Sequence, residues 1–123
     1  MWERVLKDLN TTQYIIKKDG KTAGMLGISV SRDEDATGST YELMGLYLLP
    51  EYFRQGIGTH AMEFTFAKAR SLGMKDITVW LLEDNINARM FYEKFGFIAD
   101  GKTMERDFGK TLKSIRMRRD LEM

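Results

Sequence analysis

The stretch YLLPEYFRQGIGTHAM, residues 47–62, limits the fold of this chain more than any other segment. An apolar strand runs into Pro50, then Gly56-Ile57-Gly58, then residues spaced as a helix. Backbone stripped of side chains at a strand-to-helix handover serves either a tight turn or an anion cradle, because a helix start exposes unpaired amides. The pattern is neither GxGxxG nor GxxxxGK[ST]: Thr59-His60-Ala61 follows, with no third glycine and no lysine. A dinucleotide fold and an ATP-binding P-loop are therefore disfavoured. Gly45, inside the strand that feeds the turn, signals a bulge or a close approach of other backbone.

The rest of the chain places this handover in a mixed α/β domain. Trp2, Val5, Leu6 and Leu9 sit at helical spacing, so residues 1–9 read as a short amphipathic helix. TTQYIIKK and KTAGMLGISVS read as strands joined by the turn signal Asp19-Gly20, and the acidic stretch 32–39 as a polar loop. A third strand over 40–49 precedes the turn, and a helix runs from Gly56 to Leu72, capped by Gly73. DITVWLL, 76–82, is a fourth strand, followed by a helix capped by Asn85, with Ala88, Phe91, Tyr92 and Phe95 on one face. Strands FIADGKTM and KSIRMRRDL close the order, which implies an early antiparallel part and a later crossover.

Length and composition narrow the function. A chain of 123 residues is expected to form one domain spanning 1–123. Its 19 basic and 18 acidic residues leave a net charge of +1, which gives no footprint for nucleic acid or an anionic membrane. No apolar run is long enough to span a bilayer, and MWERVLKDLN is too charged for a signal peptide. The absence of cysteine excludes disulfides and a thiol nucleophile and fits a cytoplasmic location, and a single histidine, His60, excludes a multi-histidine metal site.

Two motifs then stand in one order: strand, PEYFRQGIGT, strand, NINARMFYEKFGF. Together they resemble the GNAT superfamily of acetyl-CoA-dependent N-acetyltransferases, over about residues 12–121. The resemblance implies a mixed, mostly antiparallel sheet with helices on both faces, here lacking the family's usual first strand and first helix. It implies acetyl-CoA as co-substrate and no metal. The family's Gln/Arg-x-x-Gly-x-Gly/Ala motif falls on Phe53-Arg54-Gln55-Gly56-Ile57-Gly58, with Phe53 where Gln or Arg usually stands. Backbone amides from Gln55 through Gly56, Ile57 and Gly58 to Thr59 would then hold a pyrophosphate, with Arg54 or Thr59 compensating for Phe53. By position, Leu46, Tyr47 and Leu48 would pair with the pantetheine arm, the Leu48 amide facing the thioester oxygen. Asn85 and Ala88 would contact the pantetheine, and Tyr92 would serve as general acid.

Those residue types suit direct transfer. An amine attacks a thioester without an enzyme nucleophile, and a phenol of pKa about 10 stays protonated at neutral pH to supply the thiolate. An incoming ammonium must lose a proton first; Glu42 is the expected base, with Glu83 or water as the other choices. His60, Tyr47 and Trp2 read otherwise as surface or packing residues, Trp80 as packed or lining the acceptor side, and RMRRD as a solvated strand face. The expected function is N-acetylation of a primary amine on a small molecule or peptide. A non-catalytic acyl-CoA-binding module is the alternative. The short N-terminal part leaves the acceptor wall incomplete, for which a homodimer is the expected completion.

Overall fold

The computed structural model describes residues 2–7, 11–107 and 109–122, with side chains from residue 12 onward. Among them are seven strands and two α-helices: β1 (Trp2–Lys7), β2 (Thr11–Lys18), β3 (Lys21–Val30), β4 (Thr40–Leu48), α1 (Ile57–Ser71), β5 (Asp76–Leu82), α2 (Ile86–Lys94), β6 (Ile98–Asp107) and β7 (Thr111–Asp120). The strands form one sheet in the order β1-β2-β3-β4-β5-β7-β6, antiparallel throughout except for the β4–β5 pair. Asp19 and Gly20 join β2 to β3 with φ of 53° and 78°. Two successive left-handed residues make the tight turn whose twist matches the flanking strands.

Alternation along the strands assigns the faces. Leu26 and Ile28 of β3, Tyr41 and Leu43 of β4, Ile77, Val79 and Leu81 of β5, and Ile115 and Met117 of β7 are all buried. They meet Ile57, Ala61, Met62 and Ala69 of α1. Phe66 of α1 lies 6.4 Å from Phe95, at the end of α2, and 6.2 Å from Phe97, so the two helices share this face. Right-handed crossovers explain it: β4-α1-β5 and β5-α2-β6 advance the same way across the sheet, and each places its helix on the same side.

Two expectations change. Residues 2–7 are a strand, paired antiparallel with β2 from Trp2↔Ile16 to Lys7↔Thr12, where a helix was expected. A helix of two turns is marginal on its own, whereas β2 offers an edge on which each backbone group finds a partner. Helices were expected on both faces; the two described helices lie together on one. Leu9 and the side chain of Trp2 lie outside the described residues.

Candidate active site

The sheet forks at its centre. β4 and β5 pair in parallel only from Thr40↔Asp76 to Leu43↔Val79. The β3–β4 register shifts there, from Ile28↔Leu43 to Gly27↔Gly45, which leaves Met44 as the extra residue of a bulge. Past it β4 follows β3 to Gly24↔Leu48, while β5 follows β7 through Trp80↔Arg116. The strands part, and one edge of β4 loses its neighbour. Leu49 N–H donates to the Ala23 carbonyl at 2.8 Å, so by alternation Leu48 N–H points away from β3, into the fork.

Below the fork the chain turns into α1. Pro50–Tyr52 form a 3₁₀ turn closed by Phe53 N–H on the Pro50 carbonyl (3.1 Å) and by Gln55 Nε2 on the Glu51 carbonyl (3.0 Å). Arg54 and Gly56 adopt left-handed backbone, φ 63° and 80°. Glycine takes this conformation without strain and arginine does not. His60 N–H returns to the Gly56 carbonyl at 3.1 Å, so the amides of Ile57, Gly58 and Thr59 are free of intrahelical partners. No acidic side chain stands in this first turn. A Cβ on Gly58 would lie 3.1 Å from the Phe91 ring, so the second glycine lets α1 start directly against α2.

A cleft of about 610 Å³ lies between this turn, the free edge of β4 and α2. Of the residues given a site role from the sequence, Leu46, Tyr47, Leu48, Arg54, Gly58, Ala88 and Tyr92 line it, joined by Phe53, Asn87 and Phe91. Gln55, Gly56, Ile57 and Thr59 form the turn beneath rather than the wall, and the Ile57 side chain enters the core. Asn85 Oδ1 accepts the Ala88 N–H at 3.1 Å as the cap of α2, and Asn87 is the asparagine that faces the cleft. Tyr92 is buried between the rings of Phe91 and Phe97, and this burial raises its pKa.

Glu42 lies one residue before the fork's last pair, opposite Ser29 and Thr78. Its neighbours Tyr41 and Leu43 are both in the core, so Glu42 emerges on the face away from the helices. Burial raises its carboxyl pKa and the charge of Asp33 adds to the effect, against a hydrogen bond with Ser31 and the charges of Arg116 and Arg32. The fork thus stands between Tyr92 on the helix side and Glu42 on the other. Glu83 is paired with Lys113 at 3.3 Å, and the His60 side chain is exposed, 3.6 Å from Glu63. A larger hollow, about 840 Å³, lies at the β6–β7 edge beside the end of α2 and holds none of the residues given a catalytic or cofactor-binding role from the sequence.

The RMRRD run is not a solvated face. The Arg116 side chain is 4% exposed and tied to three aspartates. Nε donates to Asp100 at 2.7 Å, Nη1 to Asp33 at 3.1 Å and to Asp35 at 2.8 Å, and Nη2 to Asp35 at 2.7 Å. Trp80 Nε1 donates to Asp33 at 3.1 Å, and the guanidinium lies 5.9 Å from the Trp80 ring centre. These bonds hold the Asp35 carboxyl well below the usual range and the guanidinium pKa above its own. Three carboxylates around one fork-shaped cation satisfy its donors and offset its desolvation. The signal in the sequence was the acidic loop 32–39 together with Arg116 and Arg118, two positions apart on one face of β7.

By its fold the chain is an α/β protein of the N-acetyltransferase type. It belongs to the acetyltransferase (GNAT) family, whose profile matches residues 1–97. It is 29% identical over 85 residues to a protein of Lactobacillus delbrueckii subsp. lactis described as an uncharacterized N-acetyltransferase in the pepI 3′ region. That match takes in 68% of this chain and 49% of the relative, so the chain spans about half of the relative's length. The ribosomal-protein-S18-alanine N-acetyltransferase of Escherichia coli shares the fold with a TM-score of 0.77 at 19% identity, over 95% of this chain and 73% of that one. The yncA protein of Salmonella typhimurium, solved with its cofactor acetyl-CoA, gives 0.76 at 19% identity, over 92% and 66%.

Proposed function

We propose that the chain is an acetyl-CoA-dependent N-acetyltransferase that passes an acetyl group directly to a primary amine of a small molecule or peptide. The observation that carries this reading is the fork: β4 gives up its β5 partner after Leu43↔Val79 and turns a row of backbone groups toward a cleft above a helix start.

The residues present fit acetyl-CoA. Its amide-bearing arm matches the free edge of Leu46 to Leu48, as an added strand matches a sheet edge. Its pyrophosphate matches the amides of Ile57, Gly58 and Thr59 at the positive end of α1. Phe53, Asn87 and Phe91 add a wall for the arm, and Arg54 adds a charge where the usual polar side chain is replaced by Phe53. When bound, acetyl-CoA supplies the acetyl group as an activated thioester. Leu48 N–H donates to the acyl oxygen as negative charge develops there, a contribution typically of about 10²–10³ in rate. Glu42 takes the proton of the incoming ammonium, directly or through water, and Tyr92 returns a proton to the departing sulfur. The alcohol-like acid suits the task because burial keeps Tyr92 protonated.

The test is release of free thiol from acetyl-CoA across a panel of primary amines, with acetyl-CoA binding followed by calorimetry. Turnover that Tyr92→Phe lowers while binding persists supports the enzyme. Binding with no turnover on any amine would make the chain an acyl-CoA-binding module instead.

A further inference from the structure

We propose that the sheet face turned away from the helices binds the acceptor as an apolar primary amine, in a groove floored by Gly27 and Gly45; this rests on the acetyl-transfer reading above. The groove has a volume of about 400 Å³. Its floor is made by two missing side chains. Gly27 and Gly45 face each other across the β3–β4 ladder, immediately beside the bulge at Met44. A Cβ on Gly45 would meet nothing within 4 Å, and one on Gly27 would meet the Met44 Cβ at 3.7 Å and Gln13 Cγ at 3.9 Å.

The walls set the chemistry. Met25, Met44 and Tyr47 line the groove and are 45%, 51% and 59% exposed, large apolar groups on a face that no described helix covers. Gln13 is its polar member, and no charged residue is among the described residues that line it. Methionine side chains are flexible and polarizable, so such walls mould to varied apolar shapes. A charged substituent seated here would lose water and find no counter-charge.

The position ties the groove to the reaction. Leu46 and Tyr47 line both this groove and the cleft on the helix side, so the two hollows meet along the free segment of β4. Glu42 stands on the groove's face, paired with Ser29 two residues along β3 from Gly27. An amine held with its apolar group over the glycines therefore has its nitrogen between the proposed base and the fork. Glu42 takes one proton from the ammonium. The amine nitrogen then forms the C–N bond as the C–S bond breaks, Tyr92 gives its proton to the sulfur, and the second nitrogen proton returns through water to restore the phenol.

Two variants separate the groove from the cofactor cleft. Gly27→Val fills the floor, and its Cβ meets only ordinary contacts; Met44→Lys places a charge on the wall at a half-exposed position. Steady-state kinetics would compare 2-phenylethylamine with putrescine and glutamate, with thermal melting to show that both variants fold. The proposal expects the lowest KM for 2-phenylethylamine, a rise of about tenfold or more in that KM in each variant, and a KM for acetyl-CoA within twofold of the parent. Discrimination of about 10–200-fold is the usual reach of an apolar pocket. Saturation-transfer NMR of 2-phenylethylamine with the CoA-loaded protein reads the groove without turnover; the signal should fall in Gly27→Val. Loss of turnover with a persisting, variant-sensitive signal would count against the enzyme and for the groove. A signal absent from the parent protein, an equal signal in Gly27→Val, or a lower KM for putrescine or glutamate would overturn the proposal.

Discussion

Tyr92 and Glu42 stand on opposite sides of the fork, and each is shifted in the direction its proposed task requires. Burial raises the Tyr92 phenol further from the neutral range, so it is a proton donor throughout. Tyr92→Phe should lower kcat by about 10²-fold or more, with acetyl-CoA affinity retained. Glu42 must be ionised to act as a base. Its raised pKa places the acid limb of the kcat/KM profile above the ordinary glutamate value of about 4.3, with activity rising as pH passes upward through it. Glu42→Gln should remove that limb. The stability consequence has the opposite sign. A carboxyl whose folded pKa is raised destabilises the fold above that pKa and not below its unfolded value. Glu42→Gln should therefore raise the melting temperature at pH 7 and lose that advantage at pH 4, which thermal unfolding at the two pH values would show. At this scale the sequence reading named Tyr92, Gly58 and Arg54, and all three line the cleft. It named Asn85 both as the cap of α2 and as a pantetheine contact and gave Asn87 no role; the cap bond is present, and Asn87 is the asparagine that lines the cleft. Loss of that cap in Asn85→Ala should cost about 1 kcal/mol in denaturant unfolding.

Between elements, the Arg116 cluster ties β7 to the β3–β4 loop through Asp33 and Asp35, and to β6 through Asp100. Removing the cation takes a charged donor from Asp33 and Asp35, while Asp100 keeps Arg118 Nε at 3.3 Å. Arg116→Leu should destabilise the fold by about 1.5–3 kcal/mol, measured by urea unfolding at pH 7. Part of this stabilisation is itself pH-dependent. The Asp35 pKa is lowered in the fold, so its contribution is present above the unfolded value of about 3.9 and is lost as pH falls through the folded one. The pairing of this cluster was not legible because charge on a strand face looks the same whether it meets water or a loop folded over it. Helix α2 and strand β5 were legible because their periods, 3.6 and 2, run for whole elements. Residues 2–7 were not, because Trp2, Val5 and Leu6 satisfy a helical spacing over too few residues to exclude pairing with an open edge. The crossover rule puts α1 and α2 on one face only once the sheet order is known, because both passages must advance the same way across the sheet.

For the whole molecule, the topology does the positioning. A single sheet carries the described helices on one side and an apolar, glycine-floored groove on the other, and the parting of β4 from β5 connects the two. Among the described residues no helix is long and apolar enough to cross a membrane. The family is known from the match over residues 1–97; the acetyl donor's seat in the fork is the central claim. Amide chemical shifts followed by ¹H–¹⁵N NMR during titration with acetyl-CoA test it most directly. The account predicts the largest shifts at Leu46, Leu48 and Ile57 to Thr59, saturating together with a single affinity. Saturable shifts confined to the hollow between β6, β7 and the end of α2, or none at millimolar acetyl-CoA, would contradict it.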